Sequence, residues 1–392
     1  MEDFGQQRIL IVDDAQENID ILTGILTFYK KSIALNGEKA LKIARQDNSP
    51  DLILLDIVMP GMDGFDVCKQ LKSDVQTRDI PVIFLTGQTD SESVVQGLAM
   101  GAVDYVSKPF NASELLARVS THLALKRSQD AIARYVKEIG QKNRMITDSI
   151  NYASLIQNAV LQKEAELTEL LNDYFVLYRP KDIVSGDFYW SRRIDGKIIL
   201  VGADCTGHGV PGAFMSMIGV AFLNEIVGRE NVTTPALIID RLREMIIRSL
   251  GQDSESEVKD GMDMAVISIG SDRKTLEFAG ANNPMYLVRD GHLTQVDADK
   301  MPVSIYDEMT DFKNISLEIK DNDRVYLFSD GYADQRGGPD NKKLKNKAFK
   351  NLILEHAHRP MKEQEKNLSQ FYDQWKGNHE QIDDVMVIGI EI

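Results

Sequence analysis

Residues 187–205, DFYWSRRIDGKIILVGADC, carry two strand-like runs, FYWSRRI and KIILVGA, on either side of Asp195-Gly196. Asp-Gly between two such runs is a strong signal for a two-residue β-hairpin turn. Asp187 lies eight residues before Asp195, and Asp204 eight residues after Gly196. An unbulged hairpin therefore sets the two carboxylates opposite each other at its open end, on one face. Carboxylates that face each other across a sheet repel unless something positive lies between them. More aspartates stand at the ends of other apolar runs: Asp330 after RVYLF, Asp384 before VMVIGIEI, and Asp263 within KDGMDMAVISIG. Acids gathered at one rim with no Cys or His cluster suit oxygen-loving magnesium or manganese rather than zinc. Two such ions can bridge one water, lower its pKa and stabilise the attacking and leaving oxygens of a phosphoryl displacement, with no protein nucleophile.

Just beyond the hairpin, Gly207, Gly209 and Gly212 spell G-x-G-x-x-G ahead of the helical run AFMSMIGVAFLNEIV. A dinucleotide site fails here. Asp204 would repel a pyrophosphate, and about 20 residues on the chain is still helical rather than at a strand end with a ribose-binding acid. His208, among these glycines, is either a general acid or a turn residue. Cys205 has no evident base partner, so a thiol mechanism is not expected. The lysines from Lys342 to Lys350 either meet an acidic substrate or form a solvated helix face.

Upstream of the hairpin, Leu125, Ile132, Ile139, Ile146, Ala153 and Val160 recur every seven residues, which argues for a coiled coil. The companion seam reads Gln129, Val136, Asn143, Ile150 and Gln157; its polar members weaken pairing but can fix register and favour a dimer. The competing reading is one long helix packed on a neighbouring domain. Further upstream, RILIVDD, DLILLD, PVIFLTG and VDYVSKPF alternate with helical stretches, the pattern of a doubly wound parallel sheet. Ligands of such sheets sit at the carboxyl ends of the strands, where Asp13, Asp14, Asp56, Thr86 and Lys108 fall. Three carboxylates at one edge call for a hard cation, with Lys108 balancing the remaining charge and Thr86 donating a hydrogen bond.

With 392 residues, two or three folded units are expected at roughly 150 residues each. The net charge of −15 argues against nucleic acid or an anionic membrane as a partner. The longest apolar stretch, Gly212 to Val227, is broken by Ser216, Asn224 and Glu225 and falls short of the roughly 20 residues of a spanning helix. MEDFGQQR lacks a signal-peptide pattern, and Cys68 and Cys205 form no paired motif, so a reducing cytoplasm is expected.

Asp13, Asp14, Asp56, Thr86 and Lys108, with MPGMDG after Asp56, closely resemble the receiver domain of two-component response regulators. That resemblance implies Asp56 as phosphoacceptor, Asp13, Asp14, Asp56 and Val58 as Mg2+ ligands, and Thr86, Tyr105 and Lys108 as switch residues. It also implies a histidine kinase or phosphorelay donor. KDIVSGDFYW, ADCTGHGVPGAFMSMIG, KDGMDMAV, FAGANNPMYL, FSDGYADQ and QIDDVMVIGI together resemble the SpoIIE-type serine phosphatases of the metal-dependent PPM superfamily. This implies an αββα sandwich with two Mn2+ or Mg2+ ions. Asp204 would bridge them, Asp187 and the carbonyl of Cys205 would hold one, Asp330 and Asp384 the other, and Asp263 a weaker third. Arg336 stands where that pattern has an aromatic residue, and Ser304 in MPVSIY where it has glycine.

The expected architecture is α/β: a five-stranded receiver at 7–126, a helical coiled-coil linker at 127–171 that forms a homodimer, and an αββα phosphatase domain at 172–392. Its expected substrate, by resemblance, is a phosphorylated anti-anti-sigma-type (STAS) protein. The alternative is a catalytically silent module that sequesters a regulatory partner, against which the intact Asp187, Asp204, Asp330 and Asp384 speak.

Overall fold

The computed structural model describes residues 6–87, 91–253 and 259–392. Of the opening MEDFGQQR, residues 1–5 lie outside that description. The chain divides between Asn143 and Arg144 into two compact units. No helix of the described residues is long and apolar enough to cross a membrane.

In the first unit, β1 (Arg8–Val12), β2 (Lys30–Ala34), β3 (Leu52–Asp56), β4 (Val82–Thr86) and β5 (Asp104–Ser107) form one parallel sheet in the order β2-β1-β3-β4-β5. The helices α1 (Gln16–Ile25), α2 (Gly37–Ala44), α3 (Gly64–Ser73) and α4 (Ser91–Ala99) alternate with the strands. Leu10, Val12, Ile53, Leu55, Val82 and Phe84 enter one core, while Ile9, Ile11, Leu52, Leu54, Ile83 and Leu85 enter a second. Both faces of the sheet are therefore covered, which is why its central strands are continuous apolar runs rather than alternating ones. The expected doubly wound sheet is present.

After β5 comes α5 (Ala112–Val160), a single helix of 49 residues. It carries the heptad positions Leu125, Ile132, Ile139 and Ile146, all exposed. The unit boundary falls within this helix.

The second unit continues with α6 (Glu164–Thr168), β6 (Asp173–Arg179), β7 (Phe188–Ile194), β8 (Lys197–Cys205), α7 (Val210–Ile226) and α8 (Pro235–Leu250). Then come β9 (Met262–Ile269), β10 (Thr275–Ala281), β11 (Met285–Arg289), β12 (His292–Val296), β13 (Ile315–Glu318) and β14 (Arg324–Phe328). The chain ends with α9 (Gly331–Asp334), β15 (Arg336–Gly337), β16 (Lys342–Lys343), α10 (Lys345–His356), α11 (Met361–Lys376) and β17 (Val385–Glu391).

Two five-stranded sheets, β13-β10-β9-β8-β7 and β12-β11-β14-β17-β6, form the middle of this unit. Side chains alternate along each strand. On β8, Ile198 and Leu200 meet Leu327, Met386 and Ile388 in the core between the sheets. Ile199, Val201 and Ala203 face α7 and α8 instead, packing on Leu223, Ile226, Ile239 and Leu242. The other sheet's outer face packs Phe175, Tyr326 and Val387 against Phe349 of α10 and Leu368 and Tyr372 of α11. This is an αββα sandwich, as expected.

The β7–β8 hairpin turns at Asp195 (φ 49°) and Gly196 (φ 79°). Both residues are left-handed, the conformation that a tight hairpin turn needs. The register runs without a bulge from Ile194↔Lys197 to Phe188↔Ala203.

Candidate functional sites

The first site lies at the carboxyl ends of β1, β3, β4 and β5. One carboxylate oxygen from each of Asp13, Asp14 and Asp56 lies within 4.8 Å of the other two. Asp13 is buried and held in place: it accepts from the Ala15 N–H (2.9 Å), the Asn18 amide (3.0 Å) and Lys108 Nζ (2.9 Å). Lys108 Nζ also stands 3.0 Å from Asp56 Oδ2. Burial pushes the Asp56 carboxyl up, as do Asp13 and Asp14, and Lys108 offsets only part of this. Burial would lower Lys108, but its hydrogen bonds to Asp13 and Asp56 hold it above the ordinary lysine value. One ammonium thus faces three carboxylates, a set with room for a further positive charge. Thr86 is buried at the end of β4, Val58 is exposed in the loop after β3, and Tyr105 on β5 lies 5.6 Å from the Arg118 guanidinium. Asn18, which shapes Asp13, gave no signal in the sequence beyond its place at the start of α1.

The second site gathers residues from both sheets of the sandwich. Carried one position past Phe188↔Ala203, the hairpin register faces Asp187 with Asp204, and Asp204 pairs in turn with Asp263 on β9. From the other sheet, Asp330 follows β14, and Asp383 and Asp384 precede β17. Asp187 is 1% exposed, and its Oδ2 is buried with no hydrogen-bond partner. Burial, then Asp204, push the Asp187 carboxyl well up, with the Ser329 hydroxyl opposing. Burial also pushes the Asp204 carboxyl well up from its ordinary value, aided by Asp330, Asp383 and Asp263, against a hydrogen bond from the Asp330 N–H. Asp330 is pushed up to about 6, first by burial and then by Asp334, Asp383 and Asp263. Burial raises Asp263, and its hydrogen bond from the Asn282 amide (2.8 Å) opposes that. A set of carboxylates this expensive to ionise, one with an unpaired buried oxygen, fits a site for divalent cations. Among the described residues, no trio at this second site converges as closely as Asp13, Asp14 and Asp56 do. Its acids are strung along a rim.

Asp384 differs from the other four. It is 3% exposed, and its two carboxylate oxygens accept from the backbone N–H groups of Lys181 and Gly186, each at 2.7 Å. It straps the loop before β7 to the start of β17. Its neighbour Asp383 raises Asp204 and Asp330, while Asp384 and then Asp383 both raise Asp187. The sequence reading passed over Asp383, because two adjacent aspartates before a strand are indistinguishable until their directions are known.

The loops of the site interlock through missing side chains. A Cβ on Gly212 would come within 2.3 Å of the Gly207 carbonyl oxygen, and one on Gly331 within 1.9 Å of the Asp384 carbonyl oxygen. Of the G-x-G-x-x-G glycines, Gly212 thus serves close packing, while Gly207 (φ 83°) and Gly209 (φ 68°) serve a left-handed backbone. His208 Nδ1 lies 2.8 Å from Asp182 Oδ2, both residues being exposed. The Cys205 thiol is pushed well up by burial and by Asp204 and Asp187, so it stays protonated.

The end of α5 reaches this site. Gln157 is 3% exposed; its amide donates to the Ser185 carbonyl (2.6 Å) and Ser216 Oγ (2.9 Å) and accepts from the Ser185 N–H (3.2 Å). Ser185 Oγ in turn accepts from the Asp187 N–H. Gln157, expected in the companion seam of the coiled coil, is instead buried against the loop before Asp187.

Residues 9–120 match the family model described as "Response regulator receiver domain", and residues 194–392, more than half of the chain, match "Stage II sporulation protein E (SpoIIE)". A "Probable cyclic di-GMP phosphodiesterase" of Vibrio cholerae is 47% identical over 133 residues, 34% of this chain and 30% of that protein. "Response regulator PleD" of Caulobacter vibrioides is 47% identical over 114 residues, 29% of this chain and 25% of that protein. The chain thus spans less than a third of the length of these curated relatives. Among solved structures, the "SiaA-PP2C domain of Pseudomonas aeruginosa" is 29% identical with a TM-score of 0.58, covering 64% of this chain and 98% of that one.

Proposed function

The chain belongs to the SpoIIE family, and from that premise we propose that it is a metal-dependent phosphoserine/phosphothreonine protein phosphatase governed by phosphorylation of its receiver at Asp56. The observation that carries the catalytic half is the row of crowded carboxylates with the orphaned Oδ2 of Asp187. Asp187, Asp204, the Cys205 carbonyl, Asp263, Asp330 and Asp383 would hold manganese or magnesium, with Asp384 keeping the Gly186 loop in place. When bound, the ions supply Lewis-acid polarisation of the phosphoester and an acidified water. Asp182 and His208 pair on the exposed loops next in sequence to Asp187 and Asp204, where an oriented imidazole can hold a proton for the leaving hydroxyl.

In the receiver, Asp56 would accept the phosphoryl group from a histidine kinase or phosphorelay donor, with Mg2+ held by Asp13, Asp14, Asp56 and Val58. Lys108 and Thr86 then answer the new charge. The exposed Leu125, Ile132, Ile139 and Ile146 support a homodimer through α5. A STAS-type phosphoprotein is the proposed substrate and the cytoplasm the proposed compartment.

Hydrolysis of a phosphoserine peptide by the full chain tests the reading. Turnover should require manganese and fall by about a hundredfold or more in Asp204→Asn, since a metal-activated water carries the reaction. Equal activity of the variant under saturating manganese would exclude the mechanism.

A further inference from the structure

Against its net charge of −15, the chain concentrates cations in residues 336–350: Arg336, Lys342, Lys343, Lys345, Lys347 and Lys350, with Asp340 the sole acid. The stretch forms the β15–β16 hairpin and opens α10. Its first five cations are exposed, whereas Lys350 lies over the Tyr286 ring. The hairpin is firmly mounted. Gly338 N–H donates to the Trp375 carbonyl (2.9 Å), and a Cβ on Gly337 would come within 1.9 Å of that same oxygen.

Its root is Gln335, which is fully buried and accepts from Tyr372 Oη (2.7 Å) and the Ile382 N–H (3.3 Å). Gln335 therefore ties the hairpin to both segments that carry rim acids, α9 after Asp330 and the loop before Asp383. At the hairpin, Lys343 pairs with Asp334 at 2.5 Å and Lys342 with Asp340 at 2.9 Å.

Arg336, Lys345 and Lys347 have no ion pair among the described residues. Arg179, Arg241, Arg289 and Arg324, by contrast, all meet carboxylates. Lys345 and Lys347 also stand in the first turn of α10, which has no acidic residue and no side-chain cap. Cations there oppose the helix dipole, so an arriving anion is favoured twice over. The mounting of the hairpin holds these three unpaired cations beside the acidic rim.

The geometry points to this hairpin and the first turn of α10 as the docking surface for an acidic segment of the substrate protein, close in sequence to its phosphorylated residue. The inference rests on the phosphatase reading and extends it to substrate choice. The net charge of −15 repels such a segment on average, so this basic stretch steers orientation and encounter to one edge of the site.

The test uses full-length protein, manganese and three substrates: a phosphoserine peptide flanked by aspartates, its counterpart flanked by glutamines, and p-nitrophenyl phosphate. In the triple variant Arg336→Glu, Lys345→Glu, Lys347→Glu, kcat/KM for the acidic peptide should fall about tenfold or more, while the other two change less than about twofold. Lys345→Arg with Lys347→Arg should keep wild-type preference. Equal loss on both peptides, or no loss on either, would overturn the proposal. Should the wild type hydrolyse none of the three, the phosphatase reading fails separately. Fluorescence anisotropy of the labelled acidic peptide then decides: weaker binding to the triple variant sustains the docking surface, and unchanged binding refutes it.

Discussion

At Asp330, burial and the neighbours Asp334, Asp383 and Asp263 raise the carboxyl from 3.8 to about 6. Between those values the folded chain holds a proton that the unfolded chain has lost. The stabilisation this group provides is therefore full below the lower value and is lost as pH rises through the upper one. Asp330→Asn cannot ionise. In a chelator, its melting temperature relative to wild type should rise as the pH goes from about 4.5 to about 7.5. Manganese at the upper pH should restore the advantage of the wild type, because the ion needs the charged carboxylate. Thermal denaturation of both proteins across that range is the check; a difference independent of pH would mean that Asp330 is not crowded as described. Both Asp383 and Asp384 repel their neighbours, but only Asp384 has both its oxygens satisfied by the backbone N–H groups of Lys181 and Gly186.

The helix α5 ends in a buried amide rather than a seam. Gln157→Leu would leave the Ser185 N–H and carbonyl without that partner, at a cost of about 1–3 kcal/mol for each unsatisfied group. The variant should melt several degrees lower and lose turnover, because Ser185 sets the backbone of Asp187. Unchanged turnover in a folded variant would show that the contact only closes the helix end. Heptad counting could not find this contact, since it assigns a residue to a face without knowing what covers that face. The β7–β8 hairpin was legible because its turn residues and both runs agree in one register. The central receiver strands were legible because burial on two faces leaves continuous apolar runs. β2, by contrast, is an edge strand with Lys30 and Lys31 exposed, and β15 and β16 are two residues each, too short for periodicity. Of the rim acids, those at the ends of long strands stood out, and Asp383 did not.

At the scale of the whole chain, one helix of 49 residues begins after the receiver strand β5 and ends at the loop of Asp187. Under the proposed function, chemistry at Asp56 alters chemistry at the carboxylate rim. The direct measurement is manganese-dependent turnover of a phosphoserine peptide by the full chain, with and without acetyl phosphate and magnesium, in wild type and in Asp56→Asn. Wild-type kcat/KM should change about fivefold or more on phosphorylation, the range of ordinary allosteric coupling, and Asp56→Asn should not respond. Identical turnover of phosphorylated and unphosphorylated wild type, or an equal response from Asp56→Asn, would contradict it.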